Sequence, residues 1–321
     1  MLTEIISGPR AWVAASLDDR AAWYCSLPAD LLSALDLAVQ ELRRNPRPLL
    51  SLQVGDFFSG DLASSLRSAL ECLESGRGFI ILDGLPRERY SSQEMQAIYW
   101  LVGQLLGRPM AQNVEGTLLY DVRDTGQELA QGARFSVTSY ESSFHTDNSF
   151  GETVLDTVGL LCLSSARSGG LSQVVSGYAV HNRLLADHGD DLPVLYQPFH
   201  VDRRGGLRAG EAPTISTPIF QWQKEELTIR YLRTWITAGH EKKGQPLTPA
   251  QVKALDVLDH VLGQRDLAAE FMLQPGQMLF TNNRWIFHNR TAFEDWPQVE
   301  RRRHYVRLWL QAHPDRANLR G

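Results

Sequence analysis

The hydrophobic pattern of this 321-residue chain changes along its length, from helical spacing in the first hundred residues to strands from Phe135 onward. Apolar residues recur at helical spacing over 31–44 and 61–74, and a capping box begins a third helix over 91–106. A short apolar run over 78–82 predicts a buried strand between these helices. The N-terminal third is therefore predicted to be mostly helical.

The second part of the chain consists mainly of short apolar or alternating runs that indicate strands. The predicted strands are 158–163, 171–176, 215–222, 227–235, 278–280 and 304–311. Thr248, followed by Pro249 and Gln251, has the pattern of a helix start and predicts one inserted helix that ends near Leu262.

This order of elements predicts a mainly β fold with flanking helices, built on a β-sandwich or double-stranded β-helix (jelly-roll) core. We expect residues 1–321 to form a single domain in which the mostly helical part, 1–110, packs on the jelly roll. The competing fold, an open α/β sheet, would need regular β-α alternation and a Gly-rich phosphate loop. The sequence shows neither.

Composition excludes several classes of function. A net charge of -5 gives no reason to expect a nucleic-acid partner, and no apolar run is long enough to predict a membrane span. The N-terminus lacks the pattern of a secretory signal, and Cys25, Cys72 and Cys162 have no spacing typical of disulfide frameworks or zinc ribbons. These features favour a cytoplasmic enzyme or binding protein.

His145 and Asp147, separated by Thr146, and the distant His288 are candidate metal ligands. On a β-strand, residues i and i+2 point to the same face, so one imidazole and one carboxylate could contact the same cation. A His-X-Asp pair with a remote His is the ligand set of non-haem iron(II) facial triads. The alternatives are an exposed loop at His145–Asp147 and a packed core histidine at position 288.

The last predicted strand alternates between two kinds of side chain. One face is polar or aromatic and carries Arg303, Tyr305, Arg307 and Trp309. The other face is apolar and carries Val306, Leu308 and Leu310. If the apolar face packs on helices, both guanidinium groups point into the barrel, where a buried arginine needs an anion. The alternative is an edge strand with its arginines in solvent.

Taken together, these segments resemble the taurine dioxygenase-like (TauD/TfdA) family of iron(II)- and 2-oxoglutarate-dependent oxygenases. The resemblance extends from about residue 8 to Leu310. It rests on the order and spacing of several blocks, which are Gly76-Arg77-Gly78-Phe79, Phe144-His145-Thr146-Asp147, Ser168-Gly169-Gly170-Leu171-Ser172 and the segment 288–295.

The resemblance implies a role for each matching position and implies Fe(II), 2-oxoglutarate and O2 as cofactor and co-substrates. The implied metal ligands are His145, Asp147 and His288. Arg303 would pair with the distal carboxylate of 2-oxoglutarate, and Ser172 would hydrogen-bond the same group. Arg307, four residues further on, would contact an anionic group of the primary substrate. The loop between His288 and Arg303 is longer than in taurine dioxygenase itself, which leaves the primary substrate open.

The implied reaction is hydroxylation of an aliphatic C–H bond of a small anionic substrate, with release of succinate and CO2. Our first expectation for that substrate is an amino acid or related carboxylic acid. Asn113, Tyr140 and Ser142 are candidate substrate-binding residues, with ordinary loop positions as the alternative. Desaturation, epoxidation or cyclisation by the same oxidant stays open, as do a metal-dependent hydrolase or isomerase and a non-catalytic binding protein. The oligomeric state is left open.

Overall fold

The protein is described here by a computed structural model that covers residues 1–58, 62–128, 134–204, 207 and 210–313. The α-helices in these ranges are α1 (Ala29–Arg44), α2 (Val54–Phe57), α3 (Arg67–Glu74), α4 (Ser92–Leu106), α5 (Gly177–Asp187), α6 (Leu192–Leu195), α7 (Arg233–Lys243) and α8 (Pro249–Leu262). Among the helices so described, none has the length and apolar content that crossing a membrane requires.

The strands are mostly short and belong to several sheets. Those described are β1 (Tyr24–Ser26), β2 (Phe79–Asp83), β3 (Arg108–Met110), β4 (Leu119–Val122), β5 (Thr157–Ser164), β6 (Ser168–Gly169), β7 (Ser172–Ser176), β8 (Pro198–Asp202), β9 (Thr214–Pro218), β10 (Phe220–Gln223), β11 (Glu226–Ile229), β12 (Ala268–Phe271), β13 (Met278–Asn282), β14 (Ile286–Arg290), β15 (Phe293–Glu294) and β16 (His304–Gln311).

Two sheets position the candidate site. The major sheet has the order β1-β2-β13-β5-β16, and β16 pairs in addition with both β3 and β4. The minor sheet has the order β12-β7-β14, and all of its pairs are antiparallel. The chain crosses from the major sheet to the minor one between β13 and β14, a turn of three residues. This turn therefore places the end of one sheet beside the start of the other.

Alternation along β2 shows how the major sheet is covered on both faces. Phe79 and Ile81 belong to a core cluster that also contains residues of the minor sheet, whereas Ile80 and Leu82 pack with the apolar faces of α1, α3 and α4. Successive residues of a strand point to opposite faces, so these two clusters lie on opposite sides of the sheet. The N-terminal helices thus cover the outer face, while the N-terminal strands β1 and β2 join the sheet itself.

The alternation of β16 follows the same rule. Val306, Leu308 and Leu310 lie in the cluster on the helical side, as expected from the sequence. Helix α4 approaches this strand closely because residue 103 is glycine, and a Cβ there would overlap the Leu308 side chain. Replacing the fully buried Leu308 by Ala would cost about 2–5 kcal/mol of stability, the usual range for a core cavity of this kind.

Most predicted elements are present, and several bounds differ. The helix over 61–74 begins as a 3-10 turn at Leu62–Leu66 before α3, and Asp61 lies outside the described residues. The predicted strand over 227–235 is wrong in its second half, because β11 ends at Ile229 and α7 begins at Arg233. The buried positions Leu232, Ile236 and His240 have helical spacing, which the β-branched and aromatic residues around them obscured. The prediction of one inserted helix is wrong, because α5, α6 and α7 are present besides α8, and β8 was not predicted either.

Candidate active site

The two candidate histidines lie next to each other across a backbone bridge. His145 forms an isolated antiparallel bridge to His288 on β14. Its N–H donates to the His288 carbonyl, and the His288 N–H donates to the His145 carbonyl, both at 3.0 Å. This reciprocal pair fixes the two imidazoles side by side, with ring centroids 4.3 Å apart.

Asp147 reaches the same point from a turn. The expectation that His145 and Asp147 share one strand is wrong, because residues 147–150 turn and Asn148 has a φ of 53°. Thr146 points away as predicted, since its N–H donates to the Tyr231 carbonyl and its hydroxyl accepts from the Tyr231 N–H. The hydrogen bonds of Thr146 thus orient the residues on both sides of it.

The donor atoms of the three side chains converge. Asp147 Oδ1 lies 3.5 Å from His145 Nε2 and 3.7 Å from His288 Nε2. His145 Nδ1 lies 2.8 Å from the Ser143 carbonyl oxygen, so Nδ1 carries the hydrogen and Nε2 keeps its lone pair. Two imidazole nitrogens and one carboxylate oxygen within 4.8 Å of one another fit a first-row divalent metal, with the remaining positions open to small ligands.

The electrostatics favour the protonation states that a metal requires. Burial alone would raise the pKa of Asp147, but the guanidinium of Arg307 and the adjacent imidazoles of His145 and His288 hold that pKa well below its usual range. Burial, together with the neighbouring His145, lowers the pKa of His288. The site therefore presents an ionised carboxylate and a neutral imidazole, the forms that bind metals.

The second oxygen of Asp147 is held by β16. Trp309 Nε1 donates to Oδ2 at 2.8 Å, and Arg307 Nη1 lies 3.1 Å from the same oxygen. Arg307 Nε donates to Gln112 Oε1 at 2.8 Å, which fixes the guanidinium in turn. Arg307 Nη1 also donates to Asp147 Oδ1 at 3.3 Å, so the guanidinium bridges both carboxylate oxygens, whereas the indole holds Oδ2 alone.

Beside these residues lies a cavity of about 370 Å³. The metal-site residues line it together with Ser142, Ser172, Arg303 and Arg307. Apolar side chains line it as well, and these include Phe150, Leu160, Leu232 and Trp235. A volume of this order suits small ligands. The structure therefore brings the predicted metal-binding and co-substrate-binding residues to one cavity.

Arg303 is a buried cation without an anionic partner among the residues that the structure describes. Only 2% of the residue is exposed, and within the described part of the chain its guanidinium makes no ion pair and its Nε has no hydrogen-bond partner. The guanidinium stacks on Tyr305, 3.8 Å from the ring centroid, and burial lowers the pKa of Arg303. A buried guanidinium of this kind is stabilised by a carboxylate, so the site fits the distal carboxylate of 2-oxoglutarate. Ser172, 5% exposed, lines the same cavity.

The other predicted residues separate into two groups. Ser142 lies at the cavity, where its hydroxyl donates to Asn289 Oδ1 at 2.7 Å. The structure does not bring Asn113 and Tyr140 to the cavity, among whose described lining residues neither occurs. The Asn113 side chain bonds Thr117 within its own loop, and the Tyr140 hydroxyl donates to Glu128.

Several residues at this site were missed by the sequence analysis. Arg290 lines the cavity and donates to the carbonyls of Thr138 and Tyr140, and burial with Arg303 nearby lowers its pKa to about 9. Arg290 lies two residues after His288, on the same face of β14, which is a signal that alternation could have given. Arg134 and Arg204 also line the cavity, but they come from loops without a periodic pattern.

The chain matches the model of the Taurine catabolism dioxygenase TauD, TfdA family over residues 47–309. It is 28% identical over 331 residues to FR-33289 synthase of Streptomyces rubellomurinus, covering 98% of this chain and 93% of that protein. It is 26% identical over 260 residues to a taurine hydroxylase-like protein of Stachybotrys chartarum, covering 77% of this chain and 64% of that one.

Solved structures of non-haem iron oxygenases have the same fold. Asparagine oxygenase (AsnO) superposes with a TM-score of 0.66 at 20% identity, covering 91% of this chain and 93% of that chain. The oxygenase OrfP, solved with Fe and alpha-ketoglutaric acid, superposes with a TM-score of 0.65 at 16% identity, covering 92% and 96%. The predicted jelly-roll fold class is confirmed.

The fold and the site define an iron(II)- and 2-oxoglutarate-dependent dioxygenase. The chain belongs to the TauD/TfdA family, and the predicted cofactor and co-substrates, Fe(II), 2-oxoglutarate and O2, are confirmed at the level of that family.

Proposed function

We propose that this enzyme hydroxylates an aliphatic C–H bond of a small anionic substrate, an amino acid or a related carboxylic acid, and releases succinate and CO2. The observation that carries the proposal is the presence, in one cavity, of a His-Asp-His cluster and a buried arginine without an anionic partner among the described residues. Asparagine oxygenase has been solved with 3-hydroxyasparagine and succinate, and OrfP with (3S)-hydroxy-L-Arg, which supports an amino-acid-like substrate.

Each side chain has a distinct part in this proposal. His145, Asp147 and His288 bind the metal, and Arg303 with Ser172 binds the distal carboxylate of 2-oxoglutarate. When bound, iron and 2-oxoglutarate together activate O2 for attack on a C–H bond. The protein contributes by holding the substrate carbon beside the metal and by lining the cavity with apolar side chains that reduce access of water.

Arg307 has two roles in the proposed site. Its Nη1 and Nε are engaged by Asp147 and Gln112, so the residue orients a metal ligand. Its Nη2 makes no hydrogen bond with any residue that the structure describes, and the side chain lines the cavity. We therefore assign this nitrogen to the anionic group of the primary substrate, as a single contact rather than a bidentate one.

The nearest alternative outcome uses the same site and the same oxidant. Desaturation, epoxidation or cyclisation in a biosynthetic pathway would need the same cofactors, and the similarity to a synthase of Streptomyces rubellomurinus is compatible with such a reaction. A metal-dependent hydrolase or isomerase accounts for the three metal ligands but leaves the buried Arg303 without a function.

Two further inferences concern the protein as a whole. We infer a single domain, because β1 and β2 from the N-terminal part join the same sheet as β13, β5 and β16.

We infer a cytoplasmic location, because Cys25, Cys72 and Cys162 are all free thiols.

The proposed cofactor chemistry can be tested by optical spectroscopy. Iron(II) and 2-oxoglutarate are added to the metal-free protein without oxygen, and the visible spectrum is recorded. We expect a weak metal-to-ligand charge-transfer band that requires both additions and disappears in His288→Ala. Absence of the band from a folded protein that binds iron would contradict the proposal and favour the hydrolase or isomerase.

A second experiment tests the reaction class. Succinate released from 2-oxoglutarate under air is measured with and without candidate acids, and we expect the substrate to stimulate this release.

A further inference from the structure

The cavity beside the metal site has a strong excess of positive charge. Its described lining contains one carboxylate, that of Asp147, which is a proposed metal ligand. The lining also contains five guanidinium groups, those of Arg134, Arg204, Arg290, Arg303 and Arg307. A water-accessible cavity can hold such an excess, but each guanidinium without a partner is a binding position for an anion.

Three of these arginines already have a partner or an assigned ligand in the site described above. Arg290 is held by two backbone carbonyls, and Arg307 is held by Asp147 and Gln112. Arg303 is assigned to 2-oxoglutarate. The excess charge that remains belongs to Arg134 and Arg204.

Arg134 and Arg204 come from two separate loops, and both side chains line the cavity. Arg134 precedes the 3-10 turn Phe135–Val137, and Phe135 and Ser136 from this turn also line the cavity. Arg204 follows β8 and has a φ of 50°, with its N–H donating to Asp202 Oδ1 at 2.9 Å. This left-handed backbone is unfavourable for an arginine.

The neighbouring Arg203 shows what a paired arginine looks like in this loop. Arg203 Nη2 lies 3.1 Å from Glu211 Oε2 and its Nη1 lies 3.9 Å from Glu152 Oε1. Arg203 is not among the described residues that line the cavity. Arg204 does line the cavity, and neither it nor Arg134 forms an ion pair within the described ranges. The two adjacent arginines therefore differ in their partners. Protein carboxylates neutralise Arg203, whereas Arg204 lines the cavity.

We propose that Arg134 and Arg204 bind a second anionic group of the primary substrate. The substrate is then a small acid with two anionic groups, either a dicarboxylate or a carboxylate combined with a sulfonate or phosphonate. One group is held at Arg307 beside the metal, and the other at Arg134 and Arg204. The apolar side chains of Phe150, Leu232 and Trp235 line the same cavity and suit the carbon chain between the two groups. This inference rests on the proposed function and specifies its substrate class.

The test is a binding measurement without turnover. The protein is loaded with Fe(II) and saturating N-oxalylglycine under anaerobic conditions, so that the Arg303 position is already occupied. Matched probes are then titrated by calorimetry: L-glutamate against L-glutamine, L-aspartate against L-asparagine, and 3-phosphonopropionate against propionate. Each pair differs in its distal anionic group. We expect at least one pair in which the doubly anionic member binds about tenfold or more tightly, the effect expected of a charge-assisted contact.

The variants decide which residues produce that preference. Arg134→Gln and Arg204→Gln should each reduce it to about threefold or less, because each removes one cationic partner. Arg204→Lys should retain most of it, and Arg203→Gln, the matched control in the same loop, should leave it unchanged. Equal affinities within every pair, no binding of any pair, or an equal loss in Arg203→Gln would overturn the inference. The anaerobic charge-transfer band does not depend on Arg134 or Arg204, so its absence in the wild type would mark failure of the proposed function instead.

Discussion

The side-chain amide of Asn283 is hydrogen-bonded to both sides of the Asp147 backbone. Its Oδ1 accepts from the Asp147 N–H at 2.7 Å, and its Nδ2 donates to the Asp147 carbonyl at 2.9 Å. Asn283 is 1% exposed and lies in the turn between β13 and β14, five residues before His288. One short segment therefore supplies one proposed metal ligand and positions another.

Replacing Asn283 by Ala should weaken iron binding. The change leaves the Asp147 peptide N–H and carbonyl without their partners, and loss of a group that orients a metal ligand typically costs about 10–100-fold in affinity. Asn283→Asp keeps the acceptor for the N–H but turns a carboxylate oxygen toward the Asp147 carbonyl, so we expect a loss at least as large. Anaerobic Fe(II) titration measures the affinity. Wild-type affinity in a folded Asn283→Ala protein would show that the turn orients Asp147 without this amide.

Trp309→Phe should also weaken the site, through the carboxylate itself. The indole N–H donates to Asp147 Oδ2, and Phe keeps the apolar packing but removes the donor. We expect iron affinity to fall by about tenfold, since a hydrogen bond to a charged group contributes about 1.5–3 kcal/mol. Trp296→Phe is the matched control because Trp296 stacks on Arg301 away from the metal site. Equal iron affinities for the two variants would exclude a role for the indole N–H.

Arg303→Ala should raise the KM for 2-oxoglutarate by about 100-fold, a loss of roughly 3 kcal/mol that is typical of removing one partner from a buried charge pair. Iron binding should remain close to normal, because within the described residues the hydrogen bonds of Arg303 join it to Asp295 and Val122 rather than to the proposed metal ligands. The adjacent Arg302 is exposed, so Arg302→Ala should change neither quantity. An unchanged KM for 2-oxoglutarate in Arg303→Ala would assign the co-substrate to another cation of the cavity.

The parts of the fold that follow from local periodicity were predictable. The alternation of β16 placed Leu308 on the helical side and Arg307 on the cavity side, because the period of a strand is fixed. The partners of Arg307 were not predictable, since Gln112 and Asp147 approach it from distant segments. The hydrogen bonds of the Asn283 amide to Asp147 were not predictable either, because a polar residue after a strand is typical of an ordinary turn.

The errors also have physical causes. The spacing of His145 and Asp147 suggested a strand, but a turn places the same two side chains on one metal equally well once tertiary hydrogen bonds hold Thr146. Asn113 was a candidate because it is a polar residue in a loop, yet its side chain hydrogen-bonds Thr117 within that loop. Loop conformation decides such cases, and a single sequence carries little information about it.

A buried histidine away from the metal site should make the stability of the protein depend on pH. His181 on α5 is fully buried, and burial, with a smaller contribution from the N-terminal amine, lowers its pKa from 6.5 to about 4. Its Nε2 lies 2.8 Å from the Tyr196 hydroxyl, and its Nδ1 has no hydrogen-bond partner in the described part of the chain. The folded protein therefore keeps this imidazole neutral at pH values where the unfolded chain binds a proton.

The sign of the effect follows from proton linkage. Between pH 6.5 and about 4 the unfolded state binds more protons than the folded state, so stability falls as the pH falls through this window and the effect of His181 levels off below it. At pH 5 the loss relative to neutral pH should be about 2 kcal/mol. Urea unfolding at pH 7.5 and pH 5 measures it: His181→Gln should reduce the difference by this amount, whereas His260→Gln, at an exposed position on α8, should not. An identical pH dependence in wild type and His181→Gln would mean that His181 is protonated in the folded protein or that its surroundings open to water.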